Sequence, residues 1–374
     1  MHGNGSNGHA AEAAVHLNGN GAVKRDERPR HVTVIGGAGY VGSVLIPKLL
    51  ERDYDVTVLD AFLYGTDSLV EHQGRHRMTF VHGDIRSVES VTRGCREADA
   101  IIHLGGLVGD PSCALDADLT LDINLKATAV IGEVARGLGA RRLLFASSCA
   151  VYGASDGLLD ETSPMAPVSM YARTKAESEQ VLMAAASPDF TPTALRFGTF
   201  YGLSPRPRFD LVVNLLAAQG LREGSISIFG GTQWRPFIHV EDGTDAIIAA
   251  LEAPEDVVRG QAYNVGSDDQ NHTLIDVAEM IASLTPGLRI IREVSAEAEA
   301  NYRVSFAKIR RDLGFVPQRT LIDGIKEIQA AVRSEEISNY REVKYNNHKS
   351  LTAGNTVERL ARLASPVAVP SSAS

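Results

Sequence analysis

Residues 31–42 read HVTVIGGAGYVG, an apolar run that leads directly into a cluster of glycines. Gly36, Gly39 and Gly42 have the spacing G-x-x-G-x-x-G, and starting from Gly37 the spacing is G-x-G-x-x-G. Such glycines let the backbone turn tightly and approach a diphosphate, whose charge then lies at the N-terminus of the following helix. The stretch therefore predicts a strand, a dinucleotide-binding loop and a helix.

An acidic residue follows at the distance that this loop requires. The next predicted strand ends in Asp60, 18 residues after Gly42. A carboxylate at this place accepts hydrogen bonds from the ribose hydroxyls of adenosine and repels a 2′-phosphate. Asp60 therefore favours NAD over NADP as the cofactor.

Short apolar runs alternate with amphipathic stretches from residue 31 onward, which is typical of a parallel sheet covered by helices. We predict strands over residues 31–35, 56–60, 79–82, 100–104, 143–147 and 193–196. Six such strands predict the α/β class, with a Rossmann-type doubly wound parallel sheet.

The alternation of apolar runs and amphipathic stretches becomes less regular after residue 196, which indicates a smaller C-terminal α/β substrate domain. There we predict strands over 226–229, 236–240 and 262–265, and helices over 241–251, 274–284 and 321–332. The predicted division is an N-terminal tail (1–30), an NAD-binding Rossmann domain (31–195), a substrate domain (196–335) and a C-terminal extension (336–374). Both ends are rich in small and polar residues, so we expect flexibility in residues 1–30 and from about residue 346 onward.

The overall composition excludes several classes of protein. The chain has 374 residues, with 37 Lys and Arg against 46 Asp and Glu, a net charge of −9. This charge disfavours nucleic acid and anionic membranes as partners. The sequence has no apolar run of membrane-spanning length, and its three cysteines lack zinc-site spacing. We expect a cytoplasmic protein without a metal site.

A candidate catalytic group follows the fifth predicted strand. The segment SSCAVYG contains Ser148, and YARTK begins at Tyr171 and ends at Lys175. Residues i and i+4 share a helix face, so Tyr171 and Lys175 can point together into the crevice of the sheet. A phenol has a pKa near 10, and we expect the Lys175 ammonium to lower it so that Tyr171 can act as a base.

The order and spacing of these motifs resemble the extended short-chain dehydrogenase/reductases, and among them nucleotide-sugar epimerases such as the UDP-galactose 4-epimerases. The resemblance covers residues 31–335. It rests on GGAGYVG, Asp60, GDIR at 83–86, HLGG at 103–106, SSCAVYG and YARTK.

This resemblance implies a tightly held NAD and a set of site residues. Tyr171 would take the proton of a sugar hydroxyl while the C4 hydride goes to nicotinamide, with Ser148 hydrogen-bonded to the same oxygen and Lys175 on the nicotinamide ribose. The implied cofactor residues are Gly36, Gly39, Tyr40, Val41, Gly42, Asp60, Asp84, Ile85, Leu104, Gly105, Gly106, Asn124, Tyr171 and Lys175.

The resemblance also implies contacts to a nucleotide-sugar substrate. Arg235, in TQWRPFIHVED, would hold the diphosphate, because guanidinium suits bidentate phosphate contact. The implied substrate residues are Ser148, Thr199, Arg208, Asn214, Ser227, Phe229, Arg235, Tyr302 and Arg303.

Three departures from the family pattern weaken an assignment to UDP-galactose itself. Thr199 replaces the usual Asn, Pro236 replaces the usual Asp, and Ser295 stands at the place of a second phosphate-binding arginine. Arg303 is the candidate substitute for that arginine. The loop SPRPRFD adds Arg206 and Arg208, where an anion of the substrate could bind.

The reaction is narrowed by the residues after Ser148. Dehydratases of this superfamily carry Asp and Glu there, and decarboxylases a Glu at the second place, whereas this chain has Cys149 and Ala150. C4 epimerisation is therefore favoured. The alternatives are a 4-ketoreductase that uses external NAD(P)H and a non-catalytic dinucleotide sensor. The family also implies a homodimer, paired through the helices near 119–138 and 168–186.

Overall fold

The computed structural model describes residues 28–72, 74–294, 301–358 and 360. Its strands are β1 (His31–Ile35), β2 (Asp55–Asp60), β3 (Met78–His82), β4 (Ala100–His103), β5 (Arg142–Ser148), β6 (Leu158–Leu159), β7 (Thr191–Phe197), β8 (Thr199–Tyr201), β9 (Ser225–Phe229), β10 (Trp234–His239), β11 (Gln261–Val265), β12 (Asn271–Thr273), β13 (Arg289–Glu293) and β14 (Arg303–Val304). Its helices are α1 (Gly42–Glu51), α2 (Val88–Cys95), α3 (Asp110–Cys113), α4 (Ala117–Leu121), α5 (Ala127–Leu138), α6 (Met170–Ala184), α7 (Val212–Glu223), α8 (Val240–Glu252), α9 (Glu255–Val258), α10 (Leu274–Ser283), α11 (Ala307–Leu313), α12 (Leu321–Arg333) and α13 (Asn347–Thr352). A π-helical turn (Asp122–Lys126) joins α4 to α5, and 3-10 turns lie at Asp67–His72, Cys149–Tyr152, Asp268–Gln270, Val343–Tyr345 and Ala353–Asn355.

The main sheet is parallel throughout, in the order β11, β7, β5, β4, β1, β2, β3. All six predicted strands of the first domain belong to it. Strand β1 lies in its interior and is buried from Val32 to Ile35, as a continuous apolar run requires. The predicted fold class, a doubly wound α/β sheet, is confirmed.

The strand order reverses between β1 and β4. In sheets of this kind, ligands bind at the carboxyl ends of the strands beside such a reversal. Ile35 pairs with His103 at the ends of these two strands. The glycine loop after Ile35 and the loop after His103 therefore leave the sheet side by side.

A second unit packs around its own apolar core. It contains the sheet β12, β10, β8 and the parallel pair β9 and β13, with α7, α10 and α12 against them. Val213, Phe237 and Ile328 are fully buried in this core. Capping boxes at Thr273 and Thr320 explain why α10 and α12 begin where the sequence predicts.

The second unit is not a contiguous stretch of chain. Strand β11, which the sequence pattern assigned to the substrate domain, pairs with β7 and forms an edge of the main sheet. Helix α8 also packs on the main core, where Ile247 and Leu251 are buried. An apolar run does not encode which sheet it joins, so the division at residue 195 does not follow the packing.

Residues 343–358 and 360 are folded against the protein, so the prediction of a flexible end from about residue 346 is wrong for the described part of this segment. Leu351 is 1% exposed and Leu360 is 4% exposed, and both pack in a cluster with Leu107 and Ile123. The segment has few apolar residues, so its sequence predicts flexibility, but these two leucines are buried and hold it against the protein. The rest of the predicted tails, residues 1–27, 359 and 361–374, lies outside the described residues.

The structure also bears on the cysteines, on metal binding and on membrane spanning, within the described residues. Cys95, Cys113 and Cys149 are buried and form no disulfide. The described residues contain no cluster of three His, Cys, Asp or Glu side chains arranged to hold a metal ion. None of the described helices has the length and apolar character needed to cross a membrane.

Candidate functional site

A cavity lies at the carboxyl ends of the main sheet, beside the reversal between β1 and β4. Most of the predicted cofactor residues line it: Gly36, Gly39, Tyr40, Val41, Gly42, Asp60, Asp84, Ile85, Leu104, Gly105, Gly106, Tyr171 and Lys175. Residues from the second unit and the C-terminal segment complete the wall, among them Arg206, Arg208, Asn347 and Leu360.

The glycine loop after β1 is shaped for close approach of a ligand. Gly36 has φ +79°, and a Cβ on it would lie 2.7 Å from the backbone nitrogen of Gly105. A Cβ on Gly42 would collide with the carbonyl oxygen of Gly37. A Cβ on Gly39 would meet only the Gly36 carbonyl oxygen, at 3.2 Å. Gly36 and Gly42 thus keep the loop tight, while Gly39 leaves backbone open to the cavity.

The N-terminus of α1 favours an anion at this loop. No side chain caps the helix at Val41, and its first turn carries no acidic residue. The first backbone N–H groups of a helix lack partners within it, and the helix dipole is positive at that end. A diphosphate therefore fits against Gly39 and the start of α1.

Asp60 lies where the sequence predicts, at the end of β2 and in the cavity wall. Its carboxylate accepts hydrogen bonds from the backbone N–H groups of Ala38, at 3.0 Å, and Phe62, at 2.7 Å. Burial raises the pKa of this carboxyl, and these hydrogen bonds oppose the rise. Asp60 thus braces the glycine loop in addition to facing the cavity.

Asp84 and Ile85 form the wall after β3. Arg86 holds the Asp84 carboxylate through Nε, at 3.0 Å, and Nη2, at 2.5 Å. Burial alone would raise the pKa of Asp84, but the Arg86 hydrogen bonds lower it. Arg86 also donates to the carbonyl oxygen of Leu360, at 2.7 Å, which ties the C-terminal segment to this wall.

Asn124 does not line the cavity, although it is among the predicted cofactor residues. It lies in the π-helical turn and is 4% exposed. Its Oδ1 accepts from the backbone N–H of Leu107, at 2.8 Å, and its Nδ2 donates to the Leu107 carbonyl, at 2.9 Å. Asn124 therefore fixes the loop after β4 that forms the cavity wall.

The three predicted catalytic residues converge from two elements. Ser148 ends β5 and accepts a hydrogen bond from the Ala150 N–H, at 3.2 Å. Tyr171 and Lys175 lie in the first turns of α6, which Ser169 caps. Lys175 donates to the Ala146 carbonyl, at 2.7 Å. Ser148 is close enough to the Tyr171 phenol to lower its pKa, which opposes the larger effect of burial.

The protonation of Tyr171 differs from the sequence-based prediction. Burial raises the pKa of Tyr171 to about 12, and burial lowers the pKa of Lys175 to about 8. The ammonium is bound to Ala146 and lies 5.8 Å from the centroid of the Tyr171 ring. Within the protein alone, the pKa of Tyr171 is therefore not lowered below the usual value of a phenol, because burial is the largest influence on it.

A buried polar network supports the end of β5, and the sequence analysis missed it. Ser147 donates to the carboxylate of Glu179, which pairs with Arg196 at 2.7 Å. Arg196 also donates to the Tyr152 hydroxyl, at 2.9 Å. These residues are far apart in sequence, so no local spacing marks them. The network joins β5, α6 and β7 beside Ser148.

Two predicted substrate residues lie near Tyr171. The Arg235 guanidinium is stacked on the ring of Tyr302, 5.3 Å from its centroid. Tyr302 is 6% exposed. Burial raises the pKa of Tyr302, Arg235 opposes the rise and Tyr171 adds to it. The Arg235 and Tyr302 pair is therefore within electrostatic range of Tyr171.

Arg208 and Asn214 belong to the loop and helix that follow β8. Arg208 lines the cavity and pairs with Asp210 through two hydrogen bonds, of 2.9 and 3.0 Å. Asn214 is buried, and its amide bonds the N–H and carbonyl of Gly202 and the carbonyl of Arg208. Asn214 thus holds this loop and is not positioned as a ligand contact.

Of the predicted substrate residues, Arg208 alone lines this cavity within the described chain. The others lie outside the lining: Ser148, Thr199, Asn214, Ser227, Phe229, Arg235, Tyr302 and Arg303. Arg303 is stacked on Trp234, 5.3 Å from the ring centroid, and donates to the backbone of Asp156 at its exposed edge. Phe229 is 53% exposed. Ser295, at the place of the absent second arginine, lies outside the described residues.

A family model described as the NAD dependent epimerase/dehydratase family matches residues 32–266. Among curated proteins, the UDP-glucose 4-epimerase of Corynebacterium glutamicum is 29% identical over 315 residues, which are 79% of this chain and 93% of that protein.

Two solved structures extend the similarity to three dimensions. MoeE5 in complex with UDP-glucose and NAD has a TM-score of 0.70 and 27% identity, covering 82% of this chain and 99% of that chain. DesIV, the dTDP-glucose 4,6-dehydratase of Streptomyces venezuelae with NAD and TYD bound, has a TM-score of 0.74 and 25% identity, covering 82% and 98%. The similar proteins thus include both an epimerase and a dehydratase.

Proposed function

This chain belongs to the NAD-dependent epimerase/dehydratase family, and from that premise we propose that it epimerises a nucleotide-diphosphate sugar at C4 through a transient 4-keto sugar. Its resemblance to the extended short-chain dehydrogenase/reductases is confirmed, and NAD is its cofactor. The observation that carries the proposal is a single cavity that holds Tyr171, Lys175, Asp60 and the glycine loop.

The residues of the cavity fit NAD along its length. The glycine loop and the N-terminus of α1 suit the diphosphate, and Asp60 suits the adenosine ribose hydroxyls. Asp84 and Ile85 would hold adenine, and Lys175 the nicotinamide ribose. When bound, NAD supplies an acceptor for the C4 hydride and later returns that hydride.

Tyr171 acts as the general base and then as the general acid of the reaction. It accepts the proton of the C4 hydroxyl as C4 loses its hydride, so that the carbon and oxygen become a carbonyl group. After the keto sugar has turned, Tyr171 returns the proton to that oxygen as the opposite face regains the hydride. Ser148, whose side chain influences the pKa of that phenol, would hold the same oxygen.

The neighbours of Ser148 support epimerisation over dehydration. Elimination of water needs additional acid and base groups beside the sugar. Cys149 is 1% exposed, donates its thiol to the Arg196 carbonyl at 3.1 Å, and has a pKa raised by burial. Ala150 carries no ionisable group. The two positions therefore lack the acid and base that dehydratases place there.

The second unit is proposed to bind the nucleotide diphosphate of the substrate. Arg235 and Tyr302 lie on the Tyr171 side of the site, and a guanidinium suits bidentate contact with phosphate. UDP-glucose is the first substrate to test, because the Corynebacterium glutamicum relative is a UDP-glucose 4-epimerase.

The proposal includes a homodimer paired through α5 and α6. Val181 on α6 is 42% exposed and Leu138 at the end of α5 is 38% exposed, and apolar side chains on helix faces support pairing with a second copy. Light scattering coupled to size exclusion should give twice the chain mass, and Val181→Glu should give the monomer mass.

The function is tested by proton NMR of the purified protein with a panel of nucleotide sugars and no added cofactor. Formation of a C4 epimer would support both retained NAD and the proposed reaction. Reaction of a keto sugar only after NADH or NADPH is added would instead identify a ketoreductase. A 4-keto-6-deoxy product would identify a dehydratase, and binding of NAD without any turnover would favour the sensor.

A further inference from the structure

Arg206, from the SPRPRFD loop that the sequence marks as a possible anion-binding loop, lies in the cavity wall, and the proposed reaction assigns it no role. It belongs to the loop after β8, which is fastened to the glycine loop. The Ser204 hydroxyl donates to the Tyr40 carbonyl, at 2.8 Å, and lies 2.9 Å from the Ser43 hydroxyl. The Arg206 N–H donates to that same Ser204 hydroxyl, at 3.1 Å. These bonds place Arg206 directly beside the glycine loop.

The Arg206 guanidinium is buried, and two of its nitrogens have no hydrogen-bond partner in the described part of the chain. The residue is 6% exposed, and within the described chain no partner reaches its Nε or Nη2. The guanidinium carbon lies over the face of Tyr64, 4.1 Å from the ring centroid. Burial lowers the pKa of Arg206 to about 10. A buried charge without partners is costly, so its retention points to a ligand.

The carboxylates around Arg206 are already engaged. Asp210 binds Arg208 through two hydrogen bonds. Asp60 accepts from the backbone N–H groups of Ala38 and Phe62. Both carboxylates influence the Arg206 charge, but neither forms an ion pair with it. The anion that Arg206 can bind must therefore enter the cavity from outside the protein.

We infer that Arg206 donates hydrogen bonds to the diphosphate of the bound dinucleotide. Its neighbours indicate where along the dinucleotide Arg206 lies. Tyr64 and Asp60 are on the adenosine side of it, and Arg208, on its other side, is within electrostatic range of Tyr171. The diphosphate is the part of the dinucleotide between these two ends. The guanidinium fork matches phosphate oxygens, and the glycine loop beside it is the diphosphate surface. This inference rests on the proposed function, since it requires NAD in the cavity.

One consequence is that the dinucleotide joins the two units of the protein. The glycine loop and α1 belong to the main sheet, whereas Arg206 is carried by the loop after β8 that leads into the second unit. A diphosphate held from both sides is retained more firmly than one held by backbone N–H groups alone. Arg206 thus accounts for retention of NAD through repeated turnovers.

The test compares ligand binding to the cofactor-free protein and its variants by calorimetry. Arg206→Met removes the charge at similar length, Arg206→Lys keeps a point charge, and Arg311→Met is the control, because the Arg311 side chain is 68% exposed. The probes are ADP-ribose, adenosine and UDP. Arg206→Met should weaken ADP-ribose binding by about ten- to a hundredfold, with adenosine and UDP unchanged and partial recovery in Arg206→Lys.

Thermal unfolding gives a second readout. Without ligand, Arg206→Met should unfold at the same or a higher temperature, because a buried unpaired charge has been removed, yet ADP-ribose should raise its Tm less than that of the wild type. Equal ADP-ribose affinity in wild type and Arg206→Met would overturn the inference, as would a loss confined to UDP. If the wild type binds neither NAD nor ADP-ribose, the proposed function itself fails.

Discussion

The ammonium nitrogen of Lys175 lies 5.8 Å from the centroid of the Tyr171 ring, while the Ala146 carbonyl holds it at 2.7 Å. The two side chains share one helix face, as their i, i+4 spacing predicts. Burial nevertheless raises the pKa of Tyr171 to about 12. The protein alone therefore keeps the phenol neutral, and the positive nicotinamide ring of NAD+ is the charge that can favour its ionised form.

Binding of NAD+ should lower the pKa of Tyr171 from about 12. An opposite charge within about 4 to 6 Å lowers a pKa by about 1 to 3. Ultraviolet difference titration of the cofactor-free and NAD+-loaded protein measures this change. The protein has ten tyrosines, so Tyr171→Phe is the control that identifies the shifted phenol. An unchanged titration of Tyr171 on NAD+ binding would remove its role as a base.

Replacement of Lys175 by Met should stabilise the cofactor-free protein at neutral pH. Burial lowers the pKa of Lys175 to about 8 from 10.5, so the unfolded chain binds more protons between pH 8 and 10.5 and wild-type stability rises across that range. Below pH 8 the variant should be more stable by about 3 kcal/mol. Urea unfolding at pH 7 and pH 10 measures the difference, which should shrink at pH 10. Equal differences at both pH values would contradict the buried-ammonium account.

Replacement of Asp60 by Ala should weaken NAD relative to NADP. The variant loses the acceptor for the ribose hydroxyls and the charge that repels a 2′-phosphate. The ratio of the two dissociation constants should change by about tenfold, which is about 1.4 kcal/mol. Asp60→Asn separates loss of the charge from loss of the hydrogen-bond acceptor, because its amide oxygen can still accept a hydrogen bond from Ala38. An unchanged ratio in both variants would show that Asp60 does not bind the ribose.

Replacement of Leu351 by Ala should loosen the C-terminal segment from the cavity wall. Truncation of a buried leucine costs about 2 to 5 kcal/mol, and Leu351 packs in a cluster with Leu107 and Ile123. Hydrogen exchange should increase in residues 343–358, and NAD should dissociate faster. Leu158→Ala, at a side chain that is 62% exposed, is the matched control. Equal exchange and equal NAD release in both variants would show that the segment does not help to form the cavity.

The sequence predicts those parts of the site that depend on neighbouring residues. The glycine loop, Asp60 and the pair Tyr171 and Lys175 follow from local spacing at the ends of strands and in one turn of helix. The place of β11 in the main sheet does not follow, because an apolar run does not specify its partner strand. The packing of residues 343–358 and 360 does not follow either, because it depends on a surface formed by loops that are distant in sequence.

The electrostatics of the site also cannot be predicted from the local sequence pattern. The missing partner of Arg206 becomes apparent only when every nearby carboxylate is located in space. The rise in the pKa of Tyr171 depends on how deeply the phenol is buried. The spacing of residues in the sequence does not predict that burial. Charge and burial at these positions arise from the tertiary structure.

The central claim is that C4 gives up its hydride and receives the same hydride back. It is tested most directly with UDP-glucose carrying deuterium at C4, incubated with the purified protein and analysed by NMR and mass spectrometry. We expect a C4-epimeric product that keeps its deuterium at C4, with turnover reduced by about 10² to 10⁴ in Tyr171→Phe while NAD stays bound. An epimer that has lost the deuterium to water, or a product that carries it at C6, would contradict the account.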